Sequence, residues 1–217
     1  MKKENLEKIY HLAQEAGLSS DEVAEYLSAK ENSCIALNVT PAQILPGMFV
    51  YAGGMICSQL LPKRKVMAVV GYVEEETLYA VCLKQNKLPW SSEPLRVWRT
   101  QDLTDGREAT RKILEVSRKM KGIAEAAEWC FNYTEDGVKK GEAFLPSLAE
   151  LKKLYLHIDA VNAAFDALGI PSLRGIFLSS TEAEYHHVRI FNMITGNRDN
   201  SSKNRACAVL PMFKVEL

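Results

Sequence analysis

The sequence lacks the motifs on which most enzyme assignments rest. Its 217 residues contain no G-x-S-x-G, Walker, G-x-G-x-x-G or H-E-x-x-H pattern, so nothing predicts a hydrolase nucleophile, a nucleotide site or a zincin. An uninterrupted apolar run of about 18 residues is also missing, and polar side chains follow the charged opening Met-Lys-Lys. These absences predict no membrane span, no signal peptide and a cytoplasmic protein, with virion or surface delivery left open.

An excess of charge of one sign is missing as well. The 27 basic and 27 acidic residues cancel, so no net field draws the chain toward nucleic acid or an anionic membrane. We therefore expect no nucleic-acid partner. The 47% apolar and 25% charged content is typical of a globular protein with a sizeable core.

Cysteine and histidine are scarce and poorly placed for metal binding. The five cysteines are odd in number and never form a C-x-x-C pair, which favours reduced, buried thiols: Cys34, Cys57, Cys82, Cys130 and Cys207. His186 and His187 are adjacent on a predicted strand and so point to opposite faces. No calcium-type acidic cluster is present. We predict no metal and no cofactor, while a Cys–His nucleophile pair stays open until the geometry is known.

The first part of the chain, residues 1–40, is predicted to form a helical hairpin. Leu6, Ile9 and Leu12 recur at helical spacing, and Ser19 with Glu22 forms a capping box for a second helix. That second helix is acidic where a DNA-recognition helix would be basic or amide-rich. We interpret the segment as a docking or dimerisation hairpin, which makes a homo-oligomer possible.

Residues 44–217 are predicted to form one α+β domain with short, mainly antiparallel strands and two to three helices. A helical region opens at Thr104-Asp105-Gly106 as two helices or one kinked helix. Ser147, in a capping box with Glu150, caps a further helix that runs to Leu168. Strands are predicted at 48–51, 66–73, 77–83, 175–178, 185–194 and 206–215, with a polar turn over 195–204. The strands at 66–73 and 77–83 should pair as a hairpin, and residues 89–94 should form an irregular loop in which Trp90 covers the core.

Four short motifs carry a family resemblance. They are Ala-Ala-Glu-Trp-Cys at 126–130, Gly-x-x-Phe-Leu-Pro-Ser-x-x-Glu-Leu at 141–151, Leu-Ser-Ser-Thr-Glu at 178–182, and Gly-Asn-Arg-Asp-Asn-x-x-Lys-Asn at 196–204. In this order they resemble bacterial C-type-lectin-like domains, a group that includes paralogous domains of unknown function and the variable proteins of diversity-generating retroelements. The resemblance spans residues 44–217 and implies a C-type-lectin-like fold.

We interpret two of these motifs, at 141–151 and 178–182, as structural parts of the scaffold. A proline before a capped helix fixes the angle at which the chain approaches that helix, and hydroxyl side chains at 179–181 can bond to local backbone. The scaffold residues are Leu145, Pro146, Ser147, Glu150, Ser179, Ser180, Thr181 and Glu182.

The composition of the C-terminal loops predicts a binding surface, because tyrosine, asparagine and arginine are typical of adaptable recognition loops. The candidate ligand-binding residues are Tyr185, His187, Arg189, Asn192, Asn197, Arg198, Asp199, Asn200 and Asn204. We expect a non-enzymatic module that binds a protein or glycan ligand. The alternatives are a structural component of a phage or cell-surface appendage and, less favoured, an enzyme that uses a cysteine or carboxylate in a cleft.

Overall fold

The computed structural model describes residues 43–93, 95–97, 100–101, 104–120 and 123–217. The hairpin predicted for residues 1–40 lies outside this part of the chain. Within it, two five-stranded sheets and four α-helices build the domain.

The first sheet, sheet A, contains β1 (Phe49–Tyr51), β2 (Ile56–Cys57), β3 (Val66–Glu74), β4 (Thr77–Cys82) and β10 (Met212–Glu216). Its order is β10-β4-β3-β1-β2, and all of its neighbours are antiparallel. The β3–β4 hairpin forms as predicted, with Glu74 opposite Thr77 across the turn. β-branched and apolar residues fill both faces of β3, as expected of a strand buried on two sides.

The second sheet, sheet B, contains β5 (Asn86–Leu88), β6 (Ile176–Glu182), β7 (His187–Asn192), β8 (Arg198–Ser202) and β9 (Cys207–Val209). Its order is β5-β9-β6-β7-β8. The β6–β9 pair is parallel and the other pairs are antiparallel. Strand β8 therefore forms one edge of this sheet.

Four helices cover the sheets: α1 (Gly106–Met120), α2 (Glu125–Phe131), α3 (Leu148–Tyr155) and α4 (Ile158–Ala167). A short 3-10 turn follows α2 at Glu135–Gly137. Helix α1 begins where the sequence predicts, because the Asp105 carboxylate accepts hydrogen bonds from the backbone N–H groups of Arg107 and Glu108, at 2.9 and 3.2 Å. The region from Gly106 to Phe131 forms two helices, α1 and α2, rather than one kinked helix.

Successive residues of a strand point to opposite faces of the sheet and pack in different parts of the core. In sheet A, Val69 packs with α3 and α4, whereas Val70 faces a layer that includes Tyr133 and Val138. In sheet B, Phe177 joins the α3 and α4 layer, and Leu178 faces α1 and α2. The two sheets thus share one central apolar layer with α3 and α4, and each sheet packs a further apolar layer of its own.

Four predicted elements differ from the structure. The strand expected over 175–178 continues to Glu182 as β6. The helix expected to continue from Ser147 to Leu168 is two helices, because Leu156 and His157 form a tight turn that bonds back to Lys153 and Leu154. The strand expected over 206–215 is split between β9 and β10, which belong to different sheets and are separated by Pro211. The segment expected as a polar turn over 195–204 contains strand β8.

The α+β class with mainly antiparallel strands is confirmed. Among the described residues, no helix is both long and apolar enough to span a membrane. The same residues hold no group of three or more histidine, cysteine, aspartate or glutamate side chains arranged to bind a metal ion.

Candidate ligand-binding surface

The scaffold residues connect the start of α3 to strand β6. The backbone N–H of Ser180 donates to the carbonyl of Pro146 at 2.8 Å, and the N–H of Leu148 donates to the Thr181 hydroxyl at 3.0 Å. All eight of the predicted scaffold residues are buried. Because their polar groups are bonded mainly to backbone, they fix the position of β6 and of the loops that leave it.

Glu150 occupies the junction between two helix starts. Its carboxylate accepts from the N–H groups of Ser147 at 2.6 Å and of Gly106 at 3.1 and 3.2 Å, while Ser147 caps α3 in return. Burial raises the pKa of Glu150 to about 7, although these N–H donors oppose the shift. The capping box predicted from sequence thus also binds the first turn of α1.

Glu182, at the end of β6, forms a buried ion pair with Lys203. The Lys203 ammonium also donates to the carbonyl of Leu95 at 2.6 Å and lies 4.7 Å from the centre of the Trp90 ring. The Glu182 carboxylate accepts from the N–H of Val97 at 3.3 Å. The pair therefore holds the loop of residues 90–97 against the segment after β8.

A polar hollow of about 170 Å³ lies above this ion pair. Tyr185 is 43% exposed at its rim, and its ring meets the His186 ring edge-on at 4.5 Å. We call it the Tyr185 hollow, and its lining residues are Ser91, Ser92, Glu93, Tyr185, His186, Ser202, Lys203 and Asn204. It combines an exposed aromatic surface with hydroxyl, amide and carboxylate groups, which suits a hydrogen-bonding ligand.

A second, wider hollow of about 660 Å³ lies at the opposite end of the β7–β8 hairpin. The Asn192 side chain accepts from the N–H groups of Ile194 and Thr195 and so shapes the turn there. We call it the Asn197 hollow, and its lining residues are Lys152, Ile176, Ile190, Asn192, Thr195, Gly196, Asn197, Arg198 and Asp199.

The structure does not bring the nine candidate ligand-binding residues into one site. Tyr185 and Asn204 line the Tyr185 hollow, whereas four others line the Asn197 hollow: Asn192, Asn197, Arg198 and Asp199. Between the two hollows, the Arg189 guanidinium donates to the Asn200 side chain at 2.7 Å across the hairpin. His187 lies 3.6 Å from the Glu184 carboxylate, on the Tyr185 side.

Sequence reasoning missed the contribution of residues 91–93, which it treated as part of an irregular loop. The adjacent pair Ser91-Ser92 was the available signal, but nothing local indicated that the loop lies beside Tyr185. The Ser91 hydroxyl donates to the carbonyl of Glu93, and the Ser92 N–H donates to the Glu125 carboxylate at 2.9 Å. Trp90 is 1% exposed in the core, as its predicted role of covering the core requires.

The cysteines that the structure describes lie in the core. Cys57, Cys82, Cys130 and Cys207 are all buried. Burial raises the pKa of the Cys82 and Cys130 thiols well above the usual value. A thiolate at either position would be costly to form, so neither is suited to covalent catalysis.

No protein-family model matches the sequence, and no curated protein matches it either. Among solved structures, the chain is similar to a fimbrial protein from Bacteroides ovatus, with a TM-score of 0.66 and 11% sequence identity over 78% of this chain and 48% of that one. The chain thus spans about half the length of that protein. At this identity the likeness shows a shared fold alone.

Proposed function

We propose that this chain is a non-enzymatic binding module on a C-type-lectin-like scaffold, and that the Tyr185 hollow is its ligand site. The observation that carries the proposal is the placement of the exposed Tyr185–His186 ring pair beside a hollow whose floor is fixed by the buried Glu182–Lys203 pair. A rigid floor with an exposed aromatic rim lowers the entropic cost of binding. The ordered motifs at 141–151 and 178–182 support the choice of scaffold.

The hollow favours a polar ligand of modest size. Its lining offers hydroxyl and amide groups from the exposed residues Ser92, Ser202 and Asn204, together with the carboxylate of Glu93. These groups fit the hydroxyls of a sugar or the backbone of a protein loop, with the Tyr185 ring available for stacking. A protein or glycan ligand is therefore the class that we propose.

The test is a panel of immobilised oligosaccharides and a displayed random-peptide library, each probed with the full-length protein. Tyr185→Ala and Asn204→Ala should each bind the ligands found in this way at least about tenfold more weakly than the wild type does, since each substitution removes a contact within the hollow. Glu115→Gln, at an exposed position on α1, is the matched control and should bind as the wild type does. Binding that survives both hollow substitutions, or no wild-type binding in either panel, would contradict the proposal.

A second candidate function is an assembly component of a cell-surface appendage. Two observations favour it: the fold is shared with a fimbrial protein, and β8 is a polar strand at the edge of sheet B, where another strand could pair with it. This function predicts oligomers whose mass rises with concentration in analytical ultracentrifugation. Arg198→Glu on β8 should weaken them and Glu115→Gln should not.

A further inference from the structure

An apolar groove lies on the side of sheet A that faces α4, away from both hollows. It has a volume of about 610 Å³ and is lined mainly by apolar side chains, among them Leu45, Met48, Leu60, Ala160, Ala163 and Ala167. Leu45 is 58% exposed and Leu60 is 44% exposed. Neighbouring apolar residues left in water at this level mark a surface that gains from being covered.

The shape of the groove follows from two features of the sequence. Ala160, Ala163 and Ala167 are exposed at helical spacing on α4, so one face of this helix is free of large side chains. Gly47, at a φ of +87°, brings residues 45–49 against the helix, because a side chain there would lie 2.7 Å from the carbonyl oxygen of Ala160. The result is a groove with a shallow alanine floor and leucine walls.

The chain itself supplies an occupant. The described structure starts at Gln43, and Leu45 in the groove wall follows two positions later. Forty-two residues of the sequence precede Gln43, and among them Leu6, Ile9 and Leu12 recur at the spacing of one helix face. A segment attached so close to a groove is present there at an effective concentration on the order of millimolar. Apolar side chains on a helix face are the kind of ligand that an apolar groove binds.

We propose that the N-terminal segment, residues 1–42, docks in this groove within the same chain. The alanine floor allows the backbone of a helix to approach α4 closely, and the leucine walls contact its apolar stripe. The segment then covers apolar surface of the domain from which it departs. The docking is independent of the function proposed for the Tyr185 hollow, which lies elsewhere on the molecule.

Thiol accessibility in the full-length protein tests the docking. In a Cys34→Ser background, the thiol introduced by Ala163→Cys reports on the groove. The thiol introduced by Ala206→Cys, at an exposed position before β9 and outside the groove, is the control. N-ethylmaleimide should modify the groove thiol at least about tenfold more slowly than the control thiol, and the ratio should not change on dilution. Equal rates would overturn the proposal, as would protection that is lost on dilution, because that result assigns the groove to a second copy.

A second comparison identifies the occupant. Leu6→Lys, Ile9→Lys and Leu12→Lys together break the apolar stripe, and Glu7→Gln, Glu15→Gln and Glu25→Gln change the net charge by the same amount on polar positions. The first set should bring the labelling rate of the groove thiol to that of the control thiol, and the second set should leave it slow. Continued protection with the first set would show that residues 1–42 are not the occupant.

Discussion

The Lys203 ammonium donates a hydrogen bond to the Glu182 carboxylate inside the protein, where the two side chains are 4% and 2% exposed. Burial lowers the pKa of Lys203, and the interaction with Glu182 opposes that shift. Since the same two side chains bind the backbone at Leu95 and Val97, the ion pair connects three segments that are distant in sequence.

Lys203→Met should destabilise the protein by about 3–5 kcal/mol, because it leaves the Glu182 carboxylate buried and unpaired. The double variant Glu182→Gln with Lys203→Met should lose less than the sum of the two single variants, since neither partner is then left charged. Urea unfolding measures both. The exposed pair of Lys153 and Glu74, at 2.5 Å, is the control, and Lys153→Met should cost less than about 1 kcal/mol. Equal losses for Lys203→Met and Lys153→Met would refute the role given to the buried pair.

Gly106→Ala should be among the most damaging small substitutions in the domain. A methyl group there would lie 2.7 Å from the carbonyl oxygen of Leu145 and 2.8 Å from the Ser147 nitrogen, besides colliding with the Glu150 carboxylate. Relief requires the α1 and α3 starts to separate, so we expect a loss of more than about 3 kcal/mol. Gly53→Ala has open space but a φ of +85° and should cost about 1 kcal/mol. Thermal denaturation compares them, and a smaller loss at Gly106 would be evidence against close packing there.

Glu150 should make the protein less stable as the pH rises from about 4.5 to about 7. Its pKa is raised by burial from 4.5 to about 7 in the folded protein, so in this window the unfolded chain has released a proton that the folded protein keeps. The free energy of unfolding therefore falls with pH, by an amount on the order of 3 kcal/mol. Urea unfolding of the wild type and Glu150→Gln across this range isolates the contribution. A wild-type stability that rises relative to the variant would show that the N–H donors keep the carboxylate charged.

Cys82 and Cys130 should resist modification in the folded protein. Both thiols are buried and their pKa values are raised, so little thiolate forms and no reagent reaches it. Iodoacetamide at pH 8, followed by peptide mass spectrometry, should label these positions only after denaturant is added. Rapid labelling of either under native conditions would restore the cysteine-enzyme alternative that the sequence leaves open.

Features that depend on neighbouring residues could be predicted from the sequence. The capping box of Ser147 and Glu150 is correct because its partners are three residues apart and bond to each other's backbone. The β3–β4 hairpin is likewise local. The break after Tyr155 was missed because Leu154, Ile158 and Val161 keep helical spacing through it.

Features that depend on distant partners could not be predicted. Strand β8 has the composition of a turn, and it is a strand because it pairs with β7 at the sheet edge. The burial of Lys203 runs against the usual exposure of lysine and depends on Glu182 and the 90–97 loop. For the same reason, the grouping of Ser91 and Ser92 with Tyr185 became evident only in three dimensions.

The position of β10 has a consequence for biosynthesis. Val81 of β4 pairs with Met212 of β10, and Phe144 bridges to the same residue. During translation, the outer edge of β4 therefore stays without its neighbour until more than half of the chain has followed it out of the ribosome. A domain closed by such a late strand completes its folding after synthesis of residues 212–216 and slowly, because distant pairings carry a large entropic cost. Its nascent form presents an open strand edge to chaperones for most of that time.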